Sequence, residues 1–267
     1  MNINYISCLK TSRLVVIFVI TAFPVLLQGS LLVDMERIPS GAFEMGDHLD
    51  GSTSTPVVTV DVSAFYMGKY EVTKALWNEV RTWGLSNGYS DLSSGNGRAD
   101  NHPVYKITWY DMVKWCNARS EKEGRTPCYS VSGSTYRTGI SNSVDCDWTA
   151  NGYRLPTRAE WRKAYWGGNE GSNFFPCTSN GGSPADHING RFGNYDNSGD
   201  PWDDQVASPD YQWEASSVGY YNGNQSPTGV DMANGYGLYD LFGNVQEWCW
   251  DREFTNWYSL DESHDDN

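Results

Sequence analysis

Positive charge, histidine and paired cysteine are all scarce in this 267-residue chain. Nineteen lysines and arginines stand against 33 aspartates and glutamates, a formal net charge of −14, with 4 histidines and 6 cysteines. Such an acidic balance repels phosphate and anionic head groups, which excludes nucleic acid as an expected partner and a membrane except through an uncleaved leader. The histidines, His48, His102, His187 and His264, are scattered, and no two cysteines show C-x-x-C spacing, so neither a zinc site nor a thioredoxin-like redox centre is expected. Long apolar runs are missing too. The one run present, Leu14 to Leu27 after Lys10 and Arg13, has the length of a signal-peptide core and is short for a spanning helix. Residues 1–30 are therefore read as a signal peptide, with an uncleaved N-terminal anchor as the alternative, and residues 31–267 as one domain. The expected location is extracytoplasmic, secreted or periplasmic.

After Cys8 in the leader, five cysteines remain: Cys116, Cys128, Cys146, Cys177 and Cys249. Five is odd, so in an oxidising compartment at least one stays unpaired or bonds another chain. Cys128 and Cys146 flank a Ser/Gly/Thr-rich insertion from Ser130 to Ser143, and a bridge closing that loop is the preferred pairing.

Glycine, at 27 residues, and aromatics, with 12 tryptophans and 17 tyrosines, are abundant instead. Loops outweigh regular elements. Met35 to Met45 and Val57 to Tyr66 read as strands, the second with the alternation Val58, Val60, Val62; Glu71 to Trp83 and Asp111 to Lys122 read as helices. The second helix places Met112, Trp115, Cys116 and Arg119 on a core face. In NGYRLPTRAEWRKAYWGG, Asn151 to Gly168, Pro156 approaches a helix start, Thr157 and Glu160 form a capping-box pattern, and Gly167 and Gly168 end the helix. Residues 168–232, rich in Gly, Asn, Asp, Ser and Pro, read as disorder or as a large loop region held by ions. Trp202, Tyr211, Trp213, Tyr220 and Tyr221 favour the second.

The segment Asn234 to Asp251, NGYGLYDLFGNVQEWCWD, has offsets that suit a cation-binding loop. Calcium takes six to eight oxygens from carboxylates and backbone carbonyls. Asp240 and Glu247 supply carboxylates, while Gly237 and Gly243 permit backbone turns that aim the carbonyls of Gly243 and Val245 at the same ion. A plain turn with solvated acids and packed aromatics is the other reading of that spacing.

Taken together with IPSGAFEMG from Ile38, FYMGKYEVTKALW from Phe65 and HPVYKITWYDMVKWCNARS from His102, these strings resemble the sulfatase-modifying, formylglycine-generating enzyme family in order and spacing from about Met35 to Asp251. The resemblance implies one irregular α+β domain similar to a C-type lectin fold, with little regular secondary structure and structural calcium. One family calcium site falls on Asp240, Gly243, Val245 and Glu247. A second is similar to Asn194, Tyr195, Asp210 and Gln212. Enzymes of this family oxidise a sulfatase cysteine to formylglycine with molecular oxygen, copper and a cysteine pair that follows the GNVQEW-like motif. After Glu247 this chain carries only Cys249, so no catalytic residue is assigned. Copper is expected only if a further C-terminal segment supplies the pair. Two functions remain: a family oxidase of a sulfatase or other protein or peptide, inactive as the chain stands, or a calcium-stabilised lectin-like module that binds peptide or glycan.

Overall fold

The computed structural model describes residues 34–46, 57–168, 193–194, 215–226 and 228–251, together with the backbone of two short strands, β1 (Leu14–Val15) and β2 (Val19–Ile20). Both strands fall inside the segment read as a leader. The remaining strands are β3 (Met35–Ile38), β4 (Gly41–Met45), β5 (Val58–Val62), β6 (Phe65–Gly68), β7 (Tyr129–Val131), β8 (Ser134–Thr135), β9 (Asp145–Cys146) and β10 (Gln246–Glu247). Three helices accompany them: α1 (Lys74–Leu85), α2 (Trp109–Lys122) and α3 (Arg158–Trp166). The strands form four small sheets, ordered β1-β10, β2-β6-β3, β4-β5 and β8-β7-β9. This is the irregular α+β architecture expected, with short elements joined by long loops.

The strand expected over Met35 to Met45 is two strands, interrupted at Pro39, whose ring removes a ladder donor. The Val57 to Tyr66 segment divides likewise into β5 and the start of β6, so β4 pairs with β5 while β3 pairs with β6. In β5 the alternation works as read: Val60 and Val62 are buried, while Thr59 and Asp61 face outward.

Each helix starts at a threonine. Thr73 accepts from the Leu76 N–H, which moves the start of α1 three residues past Glu71, the expected first residue. Thr108 with Asp111 and Thr157 with Glu160 close full capping boxes at α2 and α3. Gly167, at φ +59, stops α3 where expected.

α2 is buried on most of its circumference rather than on one face. Its interior polar groups are matched: Asn117 Nδ2 donates to the carbonyls of Tyr129 (2.7 Å) and Tyr136 (3.0 Å), and its Oδ1 accepts from the Tyr129 N–H. Arg119, expected in the core, lies instead over the Tyr153 ring at 3.9 Å and donates to Glu123, so its head is held at the rim. Trp77 of α1 and Trp115 of α2 stack at 5.3 Å in the centre of this half of the core. A second apolar cluster joins β3 to β6 with α3 and with Leu238 and Leu241 of the C-terminal loop.

Cys128 and Cys146 are both free thiols, not the bridged pair expected. The register is the reason. Cys146 faces Tyr129 across the β7-β9 ladder, while the Asp147 N–H donates to the Cys128 carbonyl. The two cysteines are thus one residue out of step, and the pleat sends their side chains to opposite faces.

Candidate metal centre

The loop from Asn234 to Asp251 is fixed at both ends by α3. Asn234 Nδ2 donates to the carbonyls of Ala164 (2.7 Å) and Tyr165 (3.4 Å) in the last turn of the helix. Its Oδ1 accepts from the N–H groups of Tyr236 and Leu238, closing the turn. At the far end both Asp251 carboxylate oxygens accept from the Arg158 N–H at 3.0 Å, placing negative charge on the helix N-terminus. Trp250 N–H donates to the Pro156 carbonyl at 2.8 Å.

Between these anchors the backbone makes left-handed turns at Gly237 (φ +83), Asp240 (φ +62), Gly243 (φ +89) and Asn244 (φ +56). Asp and Asn tolerate that region better than other side chains. Gly243 is required on a second count, since a Cβ there would meet the Asn194 carbonyl oxygen at 2.3 Å. Gly237 and Gly243 thus take the backbone turns that the spacing predicts.

Three carboxylates face one another at this loop, and the sequence reading found two. Gly219 N–H donates to Asp240 Oδ2 at 2.5 Å, and the Trp161 indole N–H donates to Glu247 Oε2. The third is Glu71, just before α1, only 2% exposed; its Oε2 accepts from Asn244 Nδ2 at 2.8 Å, and its Oε1 has no hydrogen-bond partner. Asp240 and Glu247 keep part of their residue surface, but their carboxyl groups are enclosed by protein. Burial pushes Asp240 up to about 7 and Glu247 up to about 8, and Asp240 adds to the rise of Glu247. Glu71 is raised well above the usual carboxylate range, by burial first and then by Asp240 and Glu247. Among the described residues only the Gly219 and Trp161 donors offset the two loop acids, and no cationic side chain does.

Oxygen-only donors, enclosed negative charge and an orphaned carboxylate oxygen fit a hard cation such as calcium. Among the described residues no three acidic, histidine or cysteine side chains converge on a single metal position. An ion at this loop would draw the rest of its shell from main-chain carbonyls, those of Gly243 and Val245 first. The second expected set is only partly in view. Asn194 does not stand apart but abuts the first loop: its carbonyl accepts from the Asn244 N–H at 2.7 Å and its Nδ2 donates to Asn244 Oδ1. Tyr195, Asp210 and Gln212 lie outside the described residues.

The described thiols suit copper poorly. Cys116 and Cys128 are buried, and burial pushes Cys128 up to about 11 and Cys116 well above the usual thiol range. Cys146 and Cys249 are raised by the same cause. A soft ion needs thiolates, and these groups hold their protons at neutral pH. Alkylation of the folded protein by iodoacetamide is accordingly expected to spare Cys116 and Cys128 until the chain is unfolded. Rapid labelling of either in native buffer, located by peptide mass, would contradict their placement.

Comparison with known proteins follows the same lines. The family model described as "Sulfatase-modifying factor enzyme 1-like domain" matches residues 28–263. The chaperone protein LppX of Paenibacillus barcinonensis is 35% identical over 238 residues, which cover 86% of this chain and 74% of the relative. The formylglycine-generating enzyme of Mus musculus is 28% identical over 252 residues; the match takes in 87% of this chain but only 60% of that protein. The crystal structure of CarF superposes with a TM-score of 0.60 at 23% identity, covering 84% of this chain and 82% of CarF, and shares the fold. With the family model spanning nearly the whole sequence, the chain belongs to the sulfatase-modifying factor enzyme 1-like domain family.

Proposed function

We propose that this chain is an extracytoplasmic, calcium-stabilised domain that recognises a polypeptide partner and, as it stands, does not oxidise it. The observation that carries the reading is the state of the thiols: all four described cysteines are free, and burial holds each in its protonated form. Oxidation of a substrate cysteine in this family's manner needs a reactive pair able to hold copper, and none of the four described thiols is in that state. The orphaned Glu71 oxygen beside Asp240 and Glu247 supports calcium as a structural ion. A polypeptide partner is supported by the relative that is a chaperone protein, and the net charge of −14 argues against nucleic acid. The apolar run after Lys10 and Arg13 supports export.

Two assays test this reading. Copper-loaded protein mixed with a Cys-x-Pro-x-Arg peptide should give no aldehyde product, by mass, above a copper-only control. Reduced, unfolded lysozyme diluted into the full chain with calcium should scatter less light than lysozyme alone, and chelation should abolish that protection. Peptide turnover would overturn the non-oxidising part of the proposal, and unchanged scattering its polypeptide-binding part.

A further inference from the structure

Glu71 is tied to the loop at the residue whose neighbours would present carbonyls to the ion. Its Oε2 accepts from Asn244 Nδ2 at 2.8 Å across 173 residues of chain, and it also takes a hydrogen bond from the Val245 backbone. Asn244 is held from two further sides: its Oδ1 accepts from the Ser216 N–H at 2.8 Å, and its own N–H donates to the Asn194 carbonyl. Its left-handed backbone, φ +56, sets the direction of the peptide units on either side of it. The unit before it carries the Gly243 carbonyl, which calcium would use, and the unit after it carries the Val245 N–H that donates to Glu71. Among the described residues Glu71 has no cationic partner: it is 2% exposed, its Oε1 is unpartnered, and the acids facing it are Asp240 and Glu247. A carboxyl so placed favours the filled loop, where the ion's charge offsets its own.

We propose that Glu71 is the positioning residue of the cation site, acting through Asn244 and through its buried charge rather than as a direct ligand. The inference rests on the reading of the Asp240–Glu247 loop as a calcium site. It assigns to the strand–helix junction before α1 a role in binding an ion whose ligands lie near the other end of the chain. Glu71 is given the positioning role because its carboxyl is already engaged by Asn244 Nδ2 and by the Val245 N–H. Partners of this kind that orient ligands without touching the metal typically change metal affinity by about 10- to 100-fold when removed.

The test uses the full chain, calcium chloride titrated calorimetrically, and melting curves in calcium and in chelator. Glu71→Gln keeps the shape and one acceptor but removes the charge. It is expected to weaken calcium binding by about tenfold or more, yet to melt close to the wild-type temperature in chelator, because Gln matches the neutral carboxyl that burial favours in the empty loop. Asn244→Gly suits the left-handed backbone and removes the side chain through which Glu71 acts. It too should weaken calcium binding, and the double variant should be little weaker than the weaker single one, the mark of two residues acting as one unit. A purely structural Glu71 would lower the melting temperature equally in calcium and in chelator and leave the dissociation constant unchanged, and that outcome overturns the proposal. If the wild-type chain takes up no calcium, the cation-site reading itself fails, and the positioning role with it.

Discussion

Chelation is expected to lower the melting temperature of this protein by roughly 8–16 °C. An ion present at a thousand times its dissociation constant adds about 4 kcal/mol to the folded state, and for a domain of this size each kcal/mol moves the midpoint by roughly 2–4 °C. The structural ground is the enclosure of the Asp240 and Glu247 carboxyls with Glu71 beside them and, among the described residues, no cationic side chain offsetting the two loop acids. Without an ion the fold must either bury repelling charges or hold protons on them. Asp240→Asn and Glu247→Gln should each remove most of the calcium-dependent shift, and a melting curve indifferent to chelator would sink the assignment.

Protons and the ion compete for the same oxygens, so the pH dependence changes sign with calcium. A carboxyl whose folded value is raised binds its proton more tightly when folded, and the stability this contributes is complete below the unfolded value, about 4. It is lost as the pH rises towards the folded values of about 7 for Asp240 and about 8 for Glu247. In chelator the protein should therefore melt higher at pH 5 than at pH 8. In saturating calcium the order should reverse, since acid now displaces the ion.

What the residues disclosed in advance was whatever is determined within a few positions. Thr157, Glu160 and Gly167 specify the two ends of α3 by hydrogen bonds that span three residues, and the structure has all of them. The left-handed turns at Gly237 and Gly243 were legible for the same reason. Glu71 was not. It precedes a helical pattern and reads as its first acid, whereas Thr73 caps the helix and leaves Glu71 to a partner 173 residues away. Asn194 reads as part of a separate site, yet its carbonyl closes the first loop. Cys128 and Cys146 flank one insertion and look bridgeable by distance along the chain, but strand register decides which face each thiol takes. One signal for Glu71 was available: an acid between the buried strand residues Phe65 and Met67 and the core residues Val72 and Trp77 has few routes to solvent.

Removing Glu160 is expected to be among the most destabilising single changes in the chain, about 3–5 kcal/mol by urea unfolding. Arg154 is 2% exposed and donates to Glu160 through two nitrogens, at 2.7 and 2.5 Å, while Nη1 also reaches the Leu155 carbonyl and Nε finds no partner. Around the guanidinium lie the protonated thiols of Cys128 and Cys146 and, at 4.8 Å, the Trp148 ring, none of which carries a full negative charge. Glu160→Leu strands that cation in the interior and also takes the acceptor from the Thr157 N–H, opening the start of α3. Arg154→Met strands the carboxylate instead but leaves it the Thr157 donor, so its loss should be smaller. Combining the two removes both charges, and the double variant should be more stable than Glu160→Leu alone. Losses of about 1 kcal/mol or less for both single variants, the size typical of a solvent-exposed pair, would mean that water reaches Arg154 and that this half of the core is open.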